Sequence, residues 1–384
     1  MTKFQTLDDL NVAGKRVLVR VDLNVPMRDG LVSDTTRIDA VRPTILELLD
    51  KGANVVLASH FGRPKGQVVP DLSLEPIVPA LSAALGRAVS FGGGASGELV
   101  LLENLRFDPG EEANDPEFAR KLAGLADLYV DDAFSCTHRA HASIDGVARL
   151  LPSAAGRLLE KELKALTQAL EAPEHPVMAV VGGNKISTKL GVLENLIEKV
   201  DHLVIGGAMA NTFLLADGVQ VGKSLVEADM IETARKVTEA AADSGCSVIL
   251  PSDGIVAGEL AADADAATVP ADRIPADKMM LDIGPATTAA IIGQMNDCRT
   301  LVWNGPLGAF EFPPFDQGTR DVAGAAAERT RSGDLLSVAG GGDTAAALAA
   351  ANAVEAFSYV STAGGAFLEW LEGKSLPGVE VLSC

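Results

Sequence analysis

Short β-branched apolar runs alternate with helix-forming stretches along the whole chain. In the first half the runs are RVLVRVDLNVP, ANVVLASHFGRP, ELVLLENLRF and DLYVDDAFSCTHRAH. In the second they are HPVMAVVGGNK, DHLVIGGAMAN, CSVILPSDG, MMLDIGPAT, TLVWNGPLGAF, DLLSVAGGGDT and FSYVSTAGG. A near-continuous apolar strand is covered on both faces, and strands separated by helices run parallel. The class is therefore α/β, with buried parallel sheets. In such sheets ligands bind outside the carboxyl ends of the strands. The polar and glycine tails of the runs are expected to line the site.

Those tails differ between the halves. The first half ends its strands in His60, Arg63, Arg106 and Arg139, with Arg37 nearby. The second ends them in glycine, with Lys185 and Lys189 after its first run. This implies two domains and two anionic ligands. A small, multiply charged ligand suits the arginines, and a phosphate chain approached by backbone suits the glycines. A length of 384 residues accommodates two or three domains. Between the halves, GRLLEKELKALTQALEAPEHP repeats Leu159, Leu163, Leu166 and Leu170 at helical spacing, and Pro173 and Pro176 stop the helix. The expected division is residues 1–155, a joining helix over 156–172, and residues 173–365.

The formal net charge of −20 repels nucleic acid and anionic membrane. A small anion then needs locally clustered cations. The four cysteines, Cys136, Cys246, Cys298 and Cys384, have no metal spacing and read as reduced thiols of a cytoplasmic protein. No secretory leader or membrane-spanning apolar run is expected.

SVAGGGDTAAALAAANAVEAF reads as strand, glycine loop and helix, because alanine is the best helix former. Free N–H groups at such a helix end face an anion, yet the stretch carries no lysine. GVQVGKS resembles a P-loop but has one residue too few between its glycines and follows the helical NTFLLAD. GGGASG satisfies a dinucleotide fingerprint but precedes a strand, so it reads as a surface turn. VVGGNKISTKLGVLENLIEKV supplies the lysines. A strand ends at Gly182 and Gly183, and a helix follows with Leu190, Leu193, Ile197 and Val200 on one face. Lys185 and Lys189 then share a face of its first turns. A lysine there opposes the helix dipole by roughly 0.3–1 kcal/mol, which a phosphate between lysines and dipole would reverse. The competing reading is two solvated surface lysines.

RVDLNVP, SHFGRP, LLENLRF, DAFSCTHRAH, GGNKISTKL, VWNGPLGAFE, VAGGGDT and VSTAGGAFLEWLEGKSLPGV occur in one order over essentially the whole chain. In that order they resemble the phosphoglycerate kinase family. The resemblance implies two Rossmann-like lobes, a hinge, and a tail, residues 366–384, that returns to the first lobe. It implies reversible phosphoryl transfer between 1,3-bisphosphoglycerate and ADP, giving 3-phosphoglycerate and ATP with Mg2+, by in-line transfer after lobe closure in a monomer. Asp22, Leu23, Asn24, Arg37, His60, Phe61, Gly62, Arg63, Arg106 and Arg139 would bind phosphoglycerate. Lys185, Lys189, Gly207, Asn304, Glu311, Gly341, Gly342, Asp343 and Thr344 would bind the nucleotide, with Gly207, Asn304 and Glu311 around the adenosine. Arg37, Lys189, Gly341 and Gly342 would act on the transferring group, and Asp343 would hold magnesium. STAGGAF is the hinge candidate.

Each assignment has a plainer rival. Asp22 and Asn24 could form an Asx turn before Pro26, each arginine a surface ion pair, and Asp343 a helix cap. Asp131 and Asp132 beside THRAH could suggest a metal site, but nothing orders those groups for one. Ser135, Cys136 and Thr137 stand where the family often has Gly-Thr-Ala, and Ala363 replaces a frequent glycine. Two other functions compete. An NAD-dependent oxidoreductase needs a glycine fingerprint opening a helix. A non-catalytic scaffold leaves the arginines and lysines without purpose.

Overall fold

The computed structural model describes residues 4–92 and 97–383. They form two compact units, Met1–Lys164 with Ser375–Cys384, and Ala165–Lys374.

The first unit is built on β1 (Arg16–Arg20). In it Val17 and Val19 enter one core and Leu18 another, all fully buried. A short hairpin follows, β2 (Met27–Arg28) and β3 (Leu31–Val32). Then come β4 (Asn54–Ala58), β5 (Ser90–Phe91), β6 (Leu99–Leu101), β7 (Leu128–Asp131) and β8 (Ser153–Ala155). The order β5-β6-β4-β1-β7-β8 is parallel throughout. Helix Thr36–Asp50 covers one face through Ile38, Val41, Ile45 and Leu48. Helix Pro116–Ala123 covers the other through Leu122. Asp115 caps it, accepting the Glu117 and Phe118 N–H groups at 2.9 Å.

The second unit contains β9 (Val177–Val181), β10 (His202–Ile205) and β11 (Ser247–Ile249). Next are β12 (Asp253–Ala257), β13 (Ala267–Pro270) and β14 (Met279–Ile283). The last three are β15 (Thr300–Asn304), β16 (Leu336–Gly340) and β17 (Tyr359–Ser361). The main sheet, β11-β10-β9-β15-β16-β17, is again parallel. One expectation fails here. The MMLDIGPAT run becomes β14 of a separate antiparallel sheet, β13-β12-β14. The links between these strands hold no α-helix, and a parallel pairing needs a long crossover.

Helix Arg157–Leu166 continues into a wider turn, Thr167–Glu171, and buries Leu159, Leu163, Leu166 and Leu170. At the C-terminus, helix Gly364–Leu371 stays with the second unit; the part that belongs to the first begins at Ser375. There Gly378 donates to the Thr137 carbonyl at 2.9 Å, and a Cβ on Gly378 would lie 2.9 Å from the Thr137 Cα. GVQVGKS is a loop after helix Met209–Ala216. Its Gly222 is pressed against backbone, with the Pro275 carbonyl 2.4 Å from where a Cβ would lie. Within GGGASG, Gly93–Ser96 lie outside the described residues, as does Cys384; strand β6 follows the stretch. Cys136, Cys246 and Cys298 are free and buried. Among the described residues no helix is long and apolar enough to cross a membrane, and no cluster of three potential metal ligands exists, at THRAH or elsewhere.

Two buried carboxyls close β7. Asp131 accepts the Ala133 N–H at 3.0 Å, and Asp132 accepts those of Leu158 and Leu159 at 2.9 and 3.1 Å. Each keeps one oxygen without a partner, and burial pushes both from 3.8 up to about 7. A carboxyl that holds its proton more tightly when folded loses stability for the fold as pH rises through that interval. Thermal unfolding of Asp131→Asn should therefore compare more favourably with the parent at pH 8 than at pH 5. A melting-temperature difference that does not change with pH would contradict this.

Candidate active site

In the first unit the chain turns just beyond β1. The Asn24 N–H donates to Asp22 Oδ1 at 3.0 Å, so the Asx turn does form. The same carboxylate also accepts Arg37 Nη1 at 2.8 Å and Ser135 Oγ at 2.6 Å. Asp22 thus joins three segments. Arg37, on the first turn of its helix, also donates to the Asn24 carbonyl at 3.0 Å. Leu23 is buried, its N–H on Ser59 Oγ at 2.9 Å.

The loop after β4 is held from three sides. The Gly62 N–H donates to Asn24 Oδ1 at 3.0 Å, and the Phe61 N–H to Asn104 Oδ1 at 3.1 Å. Arg106 Nη1 donates to the Gly62 carbonyl at 2.8 Å. Gly62 has φ +58°, and a Cβ there would lie 2.8 Å from Leu72, so only glycine fits comfortably. Arg106 is buried, with Nε 3.2 Å from Glu112 Oε1. Its pKa is lowered chiefly by burial, with Arg139 and Arg20 adding to the effect and Glu112 opposing it. Arg63 is exposed; Arg139 is half-buried and donates from Nε to His138 Nε2 at 3.1 Å. Among the described residues, Arg37 and Arg106 of this cationic cluster each have one direct acidic contact, Asp22 and Glu112.

Sequence reasoning missed Arg20, the last residue of β1. It is 1% exposed. Its Nε donates to Ser143 Oγ at 2.9 Å, its Nη1 to the Val21 carbonyl, and its Nη2 lies 3.1 Å from His60 Nδ1. The available signal was an arginine directly before VDLN in a strand otherwise buried on both faces.

In the second unit a cavity of about 460 Å³ lies among the tails of β9, β15 and β16, lined by Lys185, Lys189, Asn304, Gly341, Gly342 and Asp343. An adjoining cavity of about 630 Å³ is lined by Gly207, Leu225, Leu260, Phe310, Glu311 and Phe312. The two share Gly183, Asn184, Pro306 and Asp343. One end is thus cationic and glycine-rich, and the other is largely apolar with an exposed carboxylate.

Two sequence readings change here, those of the lysine pair and of the Asp343 cap, and Asn304 and Thr344 gain partners the sequence did not show. Lys185 and Lys189 do not share the first turns of a helix. Lys185 is extended, a 3₁₀ turn Ile186–Thr188 intervenes, and Lys189 precedes helix Leu190–Leu196. The turn places Lys189 beyond the helix end, where it donates to Asn304 Oδ1. Burial lowers the Lys189 pKa, and Asp343 and Glu372 oppose that. Asn304 lines the lysine cavity, with its amide on the Gly340 carbonyl at 2.7 Å, and does not line the cavity of Gly207 and Glu311. The Thr344 hydroxyl is committed to backbone, donating to Gly340 O at 2.8 Å and accepting the Gly305 N–H at 2.7 Å. Finally, Asp343 is no cap. Gly341 is the N-cap of helix Gly342–Ala350, at φ +102°, without a side-chain cap. Asp343 is exposed and lines both cavities.

Comparison with known proteins gives the family. A family profile described as Phosphoglycerate kinase matches residues 7–374. The chain belongs to the phosphoglycerate kinase family. It is 59% identical to a phosphoglycerate kinase of Ruegeria sp. (strain TM1040), over 99% of both chains. It is also 59% identical to one of Methylorubrum populi, over 100% of this chain and 99% of the other. The structure of phosphoglycerate kinase from Coxiella burnetii superposes with a TM-score of 0.94 at 44% identity, covering 99% of both chains. That from Pyrococcus horikoshii gives 0.80 at 31% identity, over 98% of each. Membership makes the chain a phosphotransferase, and nothing supports a dinucleotide oxidoreductase.

Thr344→Val keeps the shape but strips the Gly305 N–H of its acceptor. Such a loss costs about 1–3 kcal/mol. Chemical unfolding should show a loss of that size, with a raised KM for nucleotide and an unchanged KM for the acid. A variant as stable as the parent would show the hydroxyl to be dispensable.

Proposed function

We propose that the first unit binds 3-phosphoglycerate or its 1,3-bisphosphate, and that the second binds ADP or ATP. One observation carries the assignment: a side-chain cluster of Arg37, His60, Arg63, Arg106 and Arg139 on one unit, and a paired lysine and glycine-loop cavity on the other. A guanidinium fork holds phosphate and carboxylate bidentately, so the arginines suit a small acid carrying both groups. The glycine loop opens a helix whose dipole and N–H groups favour phosphate. The apolar cavity beside it suits a nucleoside, with Glu311 accepting from ribose hydroxyls.

In the ATP-consuming direction the nucleophile is a carboxylate, ionised at neutral pH because such groups titrate near 3.5. No general base is needed. Catalysis reduces to positioning and to stabilising charge on the transferring group. Arg37 of the first unit and Lys189, Gly341 and Gly342 of the second supply that stabilisation. Each turnover has to bring the two ligands face to face, since reaction needs contact of about 3–3.5 Å. The hinge expected at Ser361–Phe367 would lie within the second unit and run into helix Gly364–Leu371, whereas the chain passes between the units at Lys164–Ala165 and Lys374–Ser375.

Asp343 fits a magnesium ion. It is a hard oxygen donor free of helix capping, and Mg2+ is commonly bound by one or two carboxylates plus substrate phosphates. When bound, the ion neutralises phosphate charge. The chain carries both anion pockets itself, so a monomer suffices. Its buried free thiols suit the reducing cytoplasm.

The test is ADP-dependent ATP formation from 1,3-bisphosphoglycerate with Mg2+. Lys189→Ala and Arg37→Ala should each lower kcat by about 10²–10³, the usual effect of losing one charge-stabilising group. Inactive pure parent protein, or full activity in Lys189→Ala, would overturn the proposal.

A further inference from the structure

Behind the acid pocket lies a buried chain of hydrogen bonds that the proposed mechanism does not use. Glu111 is fully buried and accepts from Ser143 twice, from Oγ at 2.6 Å and from N–H at 3.0 Å. The Tyr129 hydroxyl fixes the same segment by donating to the Ser143 carbonyl at 2.7 Å. With its proton on Glu111, the Ser143 hydroxyl accepts Arg20 Nε at 2.9 Å. Arg20 Nη2 then reaches His60 Nδ1 at 3.1 Å.

Direction follows from chemistry. A guanidinium donates from every nitrogen and accepts at none. Nδ1 of His60 must therefore accept, and it cannot carry a proton. In a neutral ring the proton then sits on Nε2, since the partner of one nitrogen decides the state of the other.

We infer that Arg20 is a positioning residue that locks His60 as the neutral Nε2–H tautomer, so that the ring offers the acid ligand a hydrogen-bond donor that does not titrate. The inference rests on the reading of His60 as part of the acid pocket.

The groups facing His60 support it. Arg20 comes from β1, Arg37 from helix Thr36–Asp50, Arg106 from the turn after β6, and the thiol of Cys136 lies 4.0 Å from Nδ1. Asp22 is the one acid among these groups, and Arg37 and Ser135 already engage it. Burial foremost, and then Arg20, push the His60 pKa well below 6.5. A second proton on the ring would place N–H against N–H. Glu111 balances the buried guanidinium from behind, so Arg20 does not need the ligand for its own neutralisation.

The direct test needs no variant. Long-range ¹⁵N–¹H spectra of the parent enzyme, with His60 assigned by its loss in His60→Gln, should show a protonated Nε2 and a bare Nδ1, unchanged from pH 5.5 to pH 8. A proton on Nδ1, or titration of His60 in that range, overturns the inference. Arg20→Met, accepted only if its circular dichroism matches the parent, gives the kinetic arm. Without the guanidinium against it, Nδ1 is free to take up a proton as the pH falls. KM for 3-phosphoglycerate relative to parent should rise about tenfold at pH 8 and at most about threefold at pH 5.5, the scale of one hydrogen bond to a charged group. Comparison with the parent at each pH cancels the ligand phosphate's own titration near 6. An equal ratio at both pH values contradicts the tautomer lock. Absence of turnover in the parent would instead strike the reading of the pocket, because the ring spectra do not depend on activity.

Discussion

The second unit's cavity depends on backbone touching backbone. A Cβ on Gly182 would lie 1.9 Å from the Pro306 carbonyl, and one on Gly305 2.1 Å from the Gly182 carbonyl. A Cβ on Gly207 would lie 2.6 Å from the Gly183 carbonyl. The tails of β10, β9 and β15 are thereby drawn together without any side chain between them. That closeness puts Asn304 where it can accept from Lys189 and donate to Gly340 at once, and puts the Gly305 N–H on Thr344. Among the glycines, Gly182, Gly207 and Gly305 allow this close packing, while Gly341 and Gly342 open helix Gly342–Ala350 without a side-chain cap.

The cationic cluster of the first unit is built the opposite way, from side chains. Asp22, Asn24, Asn104 and Arg106 each bond a segment distant in sequence. A short rigid acid with charges at both ends needs donors at fixed points, which side chains on separate strands provide. A phosphate chain of repeating oxygens needs a row of donors and no bulk, which bare backbone provides. Under the proposed assignment, two ligand shapes account for two chemistries on one kind of sheet.

Much of this was legible in the sequence, because burial on both faces writes itself as apolar runs and strand ends write themselves as polar or glycine tails. The antiparallel β12–β14 sheet was not, since Met279–Ile283 is as apolar as a parallel strand and only its helix-free links distinguish it. The lysine pair was misplaced because a spacing of four suits a helix face as well as a 3₁₀ turn, and backbone direction at Lys185 decides between them. Thr344 follows the glycines in sequence, but its hydroxyl answers to Gly305, a contact no local pattern encodes. Arg20 was invisible for the same reason: its partners Ser143 and Glu111 lie in distant segments, so in the sequence it is merely a charged residue at a strand end.

That buried arginine bears on how a chain of net charge −20 keeps a cationic pocket. Guanidinium groups crowded at strand ends repel one another, and burial raises the cost. Here the deepest cation is neutralised from within the core through Ser143 and Glu111, and Arg37 is held by Asp22 at the rim. Arg106 is left with Glu112, a partner that is itself 43% exposed and so weakly binding in water. The pocket is therefore neutralised where it must stay rigid and left positive where a ligand enters. An acidic surface elsewhere does not compete with this, because charges more than about 10 Å away are screened at physiological salt.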